Sequence, residues 1–183
     1  MKHYSLAIGL VAILLAGGCG NKTDTSNEAQ NEQPPHEEME HNRSGVVPKH
    51  LKEASNPKFA VGDKAIIETD HMPGMKGAEA TIVGAYDTTA YEVSYTPTTG
   101  GPKVENHKWV IHDEIKDTND EPLQTGDEVT IEADHMEGMK GAIGKIDSAV
   151  KTTVYMIDYT PTDGGERVVN HKWVTDDELT KIE

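Results

Sequence analysis

The sequence predicts a mainly β protein in which two tandem small β-barrels follow a disordered N-terminal tether. From Val61 onward the chain repeats with a period of 64 residues and no gap, and 31 of 59 aligned pairs are identical between residues 61–119 and 125–183. This self-similarity indicates an internal duplication. Each repeat alternates polar and apolar residues over short stretches without a long helical period, as in short strands. The residues before the repeats are polar and have almost no large apolar side chains, which is typical of disorder.

The strands are predicted in the same order in each repeat. In the second copy, residues 128–133 alternate as a half-buried strand does, residues 142–149 form a weaker second strand, and residues 153–160 form a third. A Thr-Asp-Gly-Gly loop at residues 162–165 then turns the chain into a fourth strand over residues 167–174, and residues 176–179 close with a helical turn. Four or five short strands per repeat favour a barrel. Gly126-Asp127, the following alternation and Gly144-Lys145-Ile146 resemble the KOW-type opening of SH3-like barrels.

The first residues have the features of an export signal. Lys2 precedes an apolar stretch at residues 6–15 that is too short to span a bilayer, and small residues follow at 16–18. Cys19 is the only cysteine, and residues 15–19 resemble a lipobox. We therefore predict a lipoprotein attached through Cys19 to the extracytoplasmic face of the cell membrane, more consistent with a Gram-positive surface than a periplasm. The predicted segments are a signal peptide at 1–18, a tether at 19–55, and barrel repeats at 56–119 and 120–183.

The charge and the motifs exclude several functions. The chain has 17 basic and 32 acidic residues, and its formal net charge is −15 at pH 7. Nucleic acid is therefore not an expected partner, because phosphate binding needs a basic surface. The sequence contains no nucleophile motif, no His-Glu-x-x-His, no phosphate-binding glycine loop and no Cys-x-x-Cys. We therefore expect a protein that is not an enzyme.

The loop His-Met-x-Gly-Met, present once in each repeat, is the strongest candidate for a metal site. Thioether sulfur suits Cu(I), and imidazole nitrogen suits several transition metals including copper. Glycines within the loop would let its backbone bend around an ion. The predicted ligands are His71, Met72, Met75, His135, Met136 and Met139. Further candidates are His107 and His171 in the fourth strand of each repeat, and the tether residues His36, Met39 and His41.

A structural alternative remains open for the same residues. Methionines are common gap fillers, so they would plug a barrel end while the histidine caps a turn. Trp109 and Trp173 are interpreted as core residues, and the acidic residues ending each repeat, such as Glu178, as a solvated helix start. The rival function is a cell-envelope SH3-like module that binds a peptide, a wall polymer or a partner protein through exposed tyrosines and tryptophans.

The lipobox, the tether and the doubled blocks Asp-His-Met-x-Gly-Met-Lys-Gly-Ala and Asn-His-Lys-Trp-Val resemble the YdhK family of bacterial lipoproteins. Members related to the copper-resistance lipoprotein CopL bind Cu(I) outside the membrane. The resemblance implies a copper-buffering role in copper tolerance, with a copper-efflux transporter as a candidate partner. It supplies no ligand assignment, so the ligands named above rest on donor chemistry.

Overall fold

The computed structural model describes residues 42–182, which form one seven-stranded sheet with two short 3-10 turns. The strands are β1 (Lys64–Ile67), β2 (Glu79–Tyr95), β3 (Val104–Ile111), β4 (Glu128–Thr130), β5 (Ile143–Tyr159), β6 (Val168–Thr175) and β7 (Leu179–Lys181). The 3-10 turns are His112–Glu114 and Asp176–Glu178. Within this described region no helix is long and apolar enough to cross a membrane. The mainly β fold agrees with the prediction.

The two longest strands, β2 and β5, run antiparallel beside each other along nearly their whole length. Thr88 pairs with Thr152 near their middle, and these two residues are equivalent positions of the two repeats. A pseudo-twofold axis therefore passes between them. The predicted second and third strands of each repeat are in fact one strand. Residues 149–153 contain no glycine, proline or asparagine that would favour a turn, and their valine and threonines favour extended backbone.

Each large core combines the first half of one repeat with the second half of the other. The first core joins β1 and the start of β2 to the end of β5, β6 and β7, and includes Ala65, Ile67, Ile82, Tyr155, Ile157, Val174 and Leu179. The second core has the reverse composition and includes Tyr91, Val93, Val110, Val129, Ile131 and Ile146. The repeats therefore do not pack as two separate barrels at 56–119 and 120–183. Each long strand carries the second half of its repeat across the axis.

A third cluster holds both tryptophans between the two cores. It consists of Ala90, Trp109, Ile111, Val154, Met156 and Trp173. The prediction that Trp109 and Trp173 are core residues is confirmed, since both are buried.

Residues 42–54 form a segment, here called the strap, that lies on the sheet and contains one turn closed by a hydrogen bond from Leu51 N to Pro48 O. Its last residues pair with β2, where Ala54 N donates to Ala85 O at 3.0 Å and Asp87 N donates to Lys52 O at 3.0 Å. Val47 and Leu51 pack against the tryptophan cluster. Residues 42–54 of the predicted tether are therefore docked on the sheet, through both these hydrogen bonds and the contacts of Val47 and Leu51. Several predicted features lie outside the described residues: the signal peptide at 1–18, the lipidation site Cys19, and the tether residues His36, Met39 and His41.

Candidate metal centres

The two His-Met-x-Gly-Met loops are each held by the other repeat. Thr162 N donates to Gly74 O at 2.8 Å, and Thr98 N donates to Gly138 O at 2.9 Å. Gly74 and Gly138 have φ values of 70° and 73°, in the left-handed region that favours glycine. The loop conformation therefore depends on glycine locally and on the opposite repeat for support.

A carboxylate lies behind the histidine of the first loop. His71 Nε2 is 2.8 Å from Glu178 Oε1, and Trp109 Nε1 donates to Glu178 Oε2 at 2.8 Å. The backbone N–H of Thr175 also donates to Glu178 Oε2 at 3.0 Å. We call His71, Trp109 and Glu178 the first triad.

The second loop has the equivalent arrangement. His135 Nε2 is 2.8 Å from Glu114 Oε1, Trp173 Nε1 donates to Glu114 Oε2 at 3.0 Å, and Ile111 N donates to the same oxygen at 3.3 Å. We call His135, Trp173 and Glu114 the second triad. Each triad takes its histidine and tryptophan from one repeat and its glutamate from the other.

The glutamates determine which imidazole nitrogen is free to bind a ligand. An ionised carboxylate only accepts hydrogen bonds, so the proton of each histidine lies on Nε2. The other nitrogen, Nδ1 of His71 and of His135, is buried and has no hydrogen-bond partner in the described part of the chain. A histidine whose far nitrogen is held by a carboxylate is the usual arrangement of a metal ligand. The two Nδ1 atoms are therefore suited to coordinate a cation.

Both glutamates remain ionised despite their burial. Burial alone would raise the pKa of Glu178, but the hydrogen bonds from His71, Thr175 and Trp109 help to lower it to about 2. Burial likewise opposes ionisation of Glu114, yet His135, Trp173 and Ile111 together hold its pKa below the ordinary value. Each carboxylate is thus a fixed negative charge behind its histidine.

We expect the stability of the protein to fall in acid because of Glu178. Its folded pKa is about 2 against an ordinary 4.5, so its ionised form contributes stability above pH 4.5, and this contribution is lost as the pH falls toward 2. Urea unfolding at a series of pH values measures the loss. A Glu178→Gln variant, which cannot titrate, should show a flatter profile. Parallel profiles for the two proteins would contradict the assignment.

A second histidine lies beside each candidate site, and it comes from the other repeat. The ring centroids of His107 and His135 are 6.4 Å apart, and Tyr95 contacts the His107 ring edge to face at 6.1 Å. From the sequence, His107 is a further candidate ligand in the fourth strand of the first repeat. The exchange of halves brings it to the opposite loop.

Near the first loop, Tyr159 contacts both a loop methionine and the histidine of β6. Tyr159 donates its hydroxyl to Met72 Sδ at 3.8 Å, and its ring lies 5.9 Å from that of His171. Burial and the charge of Asp163 raise the pKa of Tyr159 to about 12, so the phenol stays protonated. His171 thus lies in the neighbourhood of the first loop, as His107 lies beside the second.

The four predicted methionine ligands divide into two pairs. Met75 and Met139 are fully buried in the first and second cores. Met72 is partly buried at the edge of the first core, and Met136 retains a small exposure in the second. Among residues 42–182 no group of three or more His, Cys, Asp or Glu side chains is placed to hold an ion. The two loops themselves offer an imidazole and thioethers as donors.

Sequence reasoning missed Glu114 and Glu178, which it took for part of a solvated helix start. Glu114 is buried and Glu178 is half-buried. Each accepts three hydrogen bonds: one from a histidine, one from a tryptophan, and one from the backbone N–H of the residue that precedes its 3-10 turn. A signal was present: the glutamate is identical in both repeats, whereas the residues just before and after the Asp-Glu pair, such as His112 and Ile115, differ between copies.

Comparison with known proteins agrees with the duplicated architecture. The family description "Protein of unknown function (DUF1541)" matches twice, over residues 61–112 and 125–176. The chain is 58% identical over 186 residues to the uncharacterized protein YdhK of Bacillus subtilis strain 168, covering 98% of this chain and 91% of that protein.

Solved structures of that relative are also similar. A crystal structure of the B. subtilis YdhK protein at 2.00 Å resolution matches with a TM-score of 0.77 and 65% identity, covering 80% of this chain and all of that one. A solution NMR structure of the YdhK C-terminal domain matches with a TM-score of 0.64 and 67% identity, covering 67% of this chain and 93% of that one. Because the family description matches both repeats and a 58% identical relative covers nearly the whole chain, this protein belongs to the DUF1541 family of unknown function.

Proposed function

We propose that this protein binds Cu(I) at two sites and buffers excess copper, without any catalytic turnover. One site contains His71 and Met72 beside His171, and the other contains His135 and Met136 beside His107. The observation that carries the proposal is the pair of buried Nδ1 atoms of His71 and His135, each unpartnered in the described region while a carboxylate holds the opposite ring nitrogen. A buried polar atom left without a partner is costly unless a ligand uses it.

The donor chemistry fits a soft, singly charged cation. Neutral imidazole and thioether are ligands that suit Cu(I), whereas Mg²⁺ and Ca²⁺ prefer oxygen donors. Each site also has one ionised glutamate behind its histidine, which would balance a single positive charge in a dry environment. In this proposal Met75 and Met139 serve packing, and Met72 and Met136 supply the thioethers.

The cellular setting is part of the same proposal. The apolar start of the chain and Cys19 support a lipoprotein held at the extracytoplasmic face of the cell membrane, where a copper-efflux transporter is the candidate partner. Similarity to CopL belongs to this proposal as well. We also propose that each half closes as an SH3-like barrel built from both repeats. The sequence of β6, 3-10 turn and β7 following the paired ends of β2 and β5 supports this topology.

An anaerobic Cu(I) titration against a chromophoric chelator tests the function. We expect two tightly bound ions per chain in residues 42–182, and loss of tight binding when Met72 and Met136 are both replaced with leucine. Leucine conserves volume, so the fold should persist. The matched control replaces Met75 and Met139 with leucine and should keep both ions. A double Met72→Leu, Met136→Leu variant with unchanged stoichiometry would exclude these thioethers as ligands.

The tether is tested separately. Replacing His36 and His41 with glutamine and Met39 with leucine in the full chain removes the tether donors and leaves the two loops intact. Loss of an additional ion would assign a site to the tether, and unchanged stoichiometry would restrict binding to the repeats.

The rival function, an aromatic-lined envelope-binding module, has less support. It requires tyrosines and tryptophans exposed along a groove. In the described region the side chains of Tyr91, Tyr95, Tyr155, Tyr159, Trp109 and Trp173 are all buried, and only Tyr86 is partly exposed. The hydroxyl groups of Tyr91, Tyr155 and Tyr159 and both indole N–H groups also make internal hydrogen bonds, such as Tyr91 with His112 at 2.8 Å.

A further inference from the structure

The strap breaks the pseudo-twofold symmetry that the two triads otherwise follow. Asn42 N donates to His135 O at 3.0 Å, and the Asn42 side chain donates to Asp134 at 3.3 Å. Asn170 Nδ2 donates to Arg43 O at 3.0 Å, and Lys172 Nζ donates to Val46 O. These contacts join the strap to the second loop and to β6. In the described region no hydrogen bond joins the strap to the first loop.

The side chains beneath the strap are adapted to it. Val83, Tyr86 and Met156 pack with Trp173 in the tryptophan cluster that also receives Val47 and Leu51. Of the equivalent positions in the other half, two carry acidic residues, Asp147 and Glu92, and the third carries the smaller Val150 in place of Tyr86. An apolar face exists where the strap docks and is absent from the half without it. Sequence differences between the two repeats therefore allow the strap to dock on one half and not on the other.

The second triad, whose loop is in contact with the strap, is more enclosed than the first. The His135 and Glu114 side chains are 4% and 8% exposed, against 10% and 13% for His71 and Glu178. Trp173 is fully buried, whereas Trp109 keeps 8% of its surface exposed. Exchange at a buried atom requires local opening, and opening is rarer where more contacts must break.

We propose that the two sites differ in exchange: the His71 site is an exchange site that takes up and releases its ion quickly, and the His135 site is a retention site gated by residues 42–46. The assignment of an ion to each site rests on the proposed function. The difference in access between His71 and His135 does not depend on that function.

The gate is the polar end of the strap and not the whole segment. Residues 42–46 are held by hydrogen bonds near the surface, and Val46 is 74% exposed. Residues 47–54 are fixed by Val47, Leu51 and the pairing with β2. Release of the first part can therefore uncover the second loop while the rest of the strap stays in place.

The test measures access to each histidine without metal. The full chain in detergent is treated with diethyl pyrocarbonate, which modifies accessible imidazole, and the labelling rates of His71 and His135 are followed by mass spectrometry. We expect His71 to react faster. In an Asn42→Ala, Asn170→Gly variant, His135 labelling should accelerate by about tenfold, as expected when two exposed side-chain hydrogen bonds that close the gate, Asn42 to Asp134 and Asn170 to Arg43, are lost. The His71 rate should not change.

The control uses the other repeat. Asn106 is the equivalent of Asn170, and both have left-handed backbone, with φ values of 53° and 52°. Asn106→Gly therefore makes the same backbone change where no strap contact exists in the described region, and it should alter neither rate. Equal labelling of His71 and His135 in the parent chain, or no acceleration in the strap variant, would overturn the proposal.

Cu(I) extraction by excess chelator then tests the two roles. We expect two phases of equal amplitude, of which only the slow one accelerates in the strap variant. A single phase that the variant does not change would overturn the retention role. Absence of bound copper would instead refute the proposed function, and the labelling result would still decide whether the strap gates His135.

Discussion

Replacing Glu114 with alanine is expected to lower the free energy of unfolding by about 3–5 kcal/mol, the cost of removing one partner from a buried charged cluster. The substitution leaves three donors without an acceptor: His135 Nε2, Trp173 Nε1 and the backbone N–H of Ile111. Each such group retains its full desolvation cost. Urea unfolding followed by tryptophan fluorescence and circular dichroism measures the change.

The neighbouring acid supplies the control. Asp113 is exposed and its carboxylate has only a long 3.4 Å contact with Thr88, so Asp113→Ala should cost less than about 1 kcal/mol. A Glu114→Ala variant no less stable than Asp113→Ala would show that Glu114 does not organise the second triad.

A methyl group added at Gly138 is expected to cost about 2–4 kcal/mol, through backbone strain and steric overlap. Gly138 has a φ of 73°, and a Cβ there would lie 2.6 Å from Thr99 Oγ1 and 2.9 Å from Pro97 Cβ. The second loop would then separate from the threonine-rich loop that holds it. Thermal unfolding of Gly138→Ala measures the cost.

Gly141 is the matched control, since it has a similar φ of 79° and nothing within 4 Å of an added Cβ. Gly141→Ala should cost about 1 kcal/mol, the strain alone. Equal losses at Gly138 and Gly141 would mean that the close approach to Pro97 and Thr99 is unimportant for stability.

The strands could be predicted from the sequence, but their lengths and partners could not. Alternation identified residues 128–133 and 153–160, and Thr-Asp-Gly-Gly identified the loop before β6. Whether the chain turns back or continues at Val150 depends on a choice between intramolecular partners that are chemically almost alike. Because the two repeats have similar apolar positions, a strand could bury its apolar face against its own repeat or against the other one. The hydrophobic pattern does not distinguish these two pairings.

The candidate site was predicted in part for the same reason. Donor chemistry could propose His71, Met72, His135 and Met136 as ligands, because it depends only on residue type, and this assignment stays a prediction. The role of Glu178 could not be recognised, since an acidic residue in a short turn is equally typical of a solvated cap, and its partner His71 lies 107 residues away. This contact forms because the first half of one repeat packs with the second half of the other.

The pseudo-twofold axis between Thr88 and Thr152 also bears on the origin of the protein. A single 64-residue unit contains half of each core and half of each candidate site, so its smallest self-sufficient form is a symmetric dimer. Joining two units in one chain makes that association intramolecular and independent of concentration. It also allows the two copies to differ in sequence, so one half can present Val83 and Met156 to the strap while the other half has Asp147 and Glu92 at the equivalent positions.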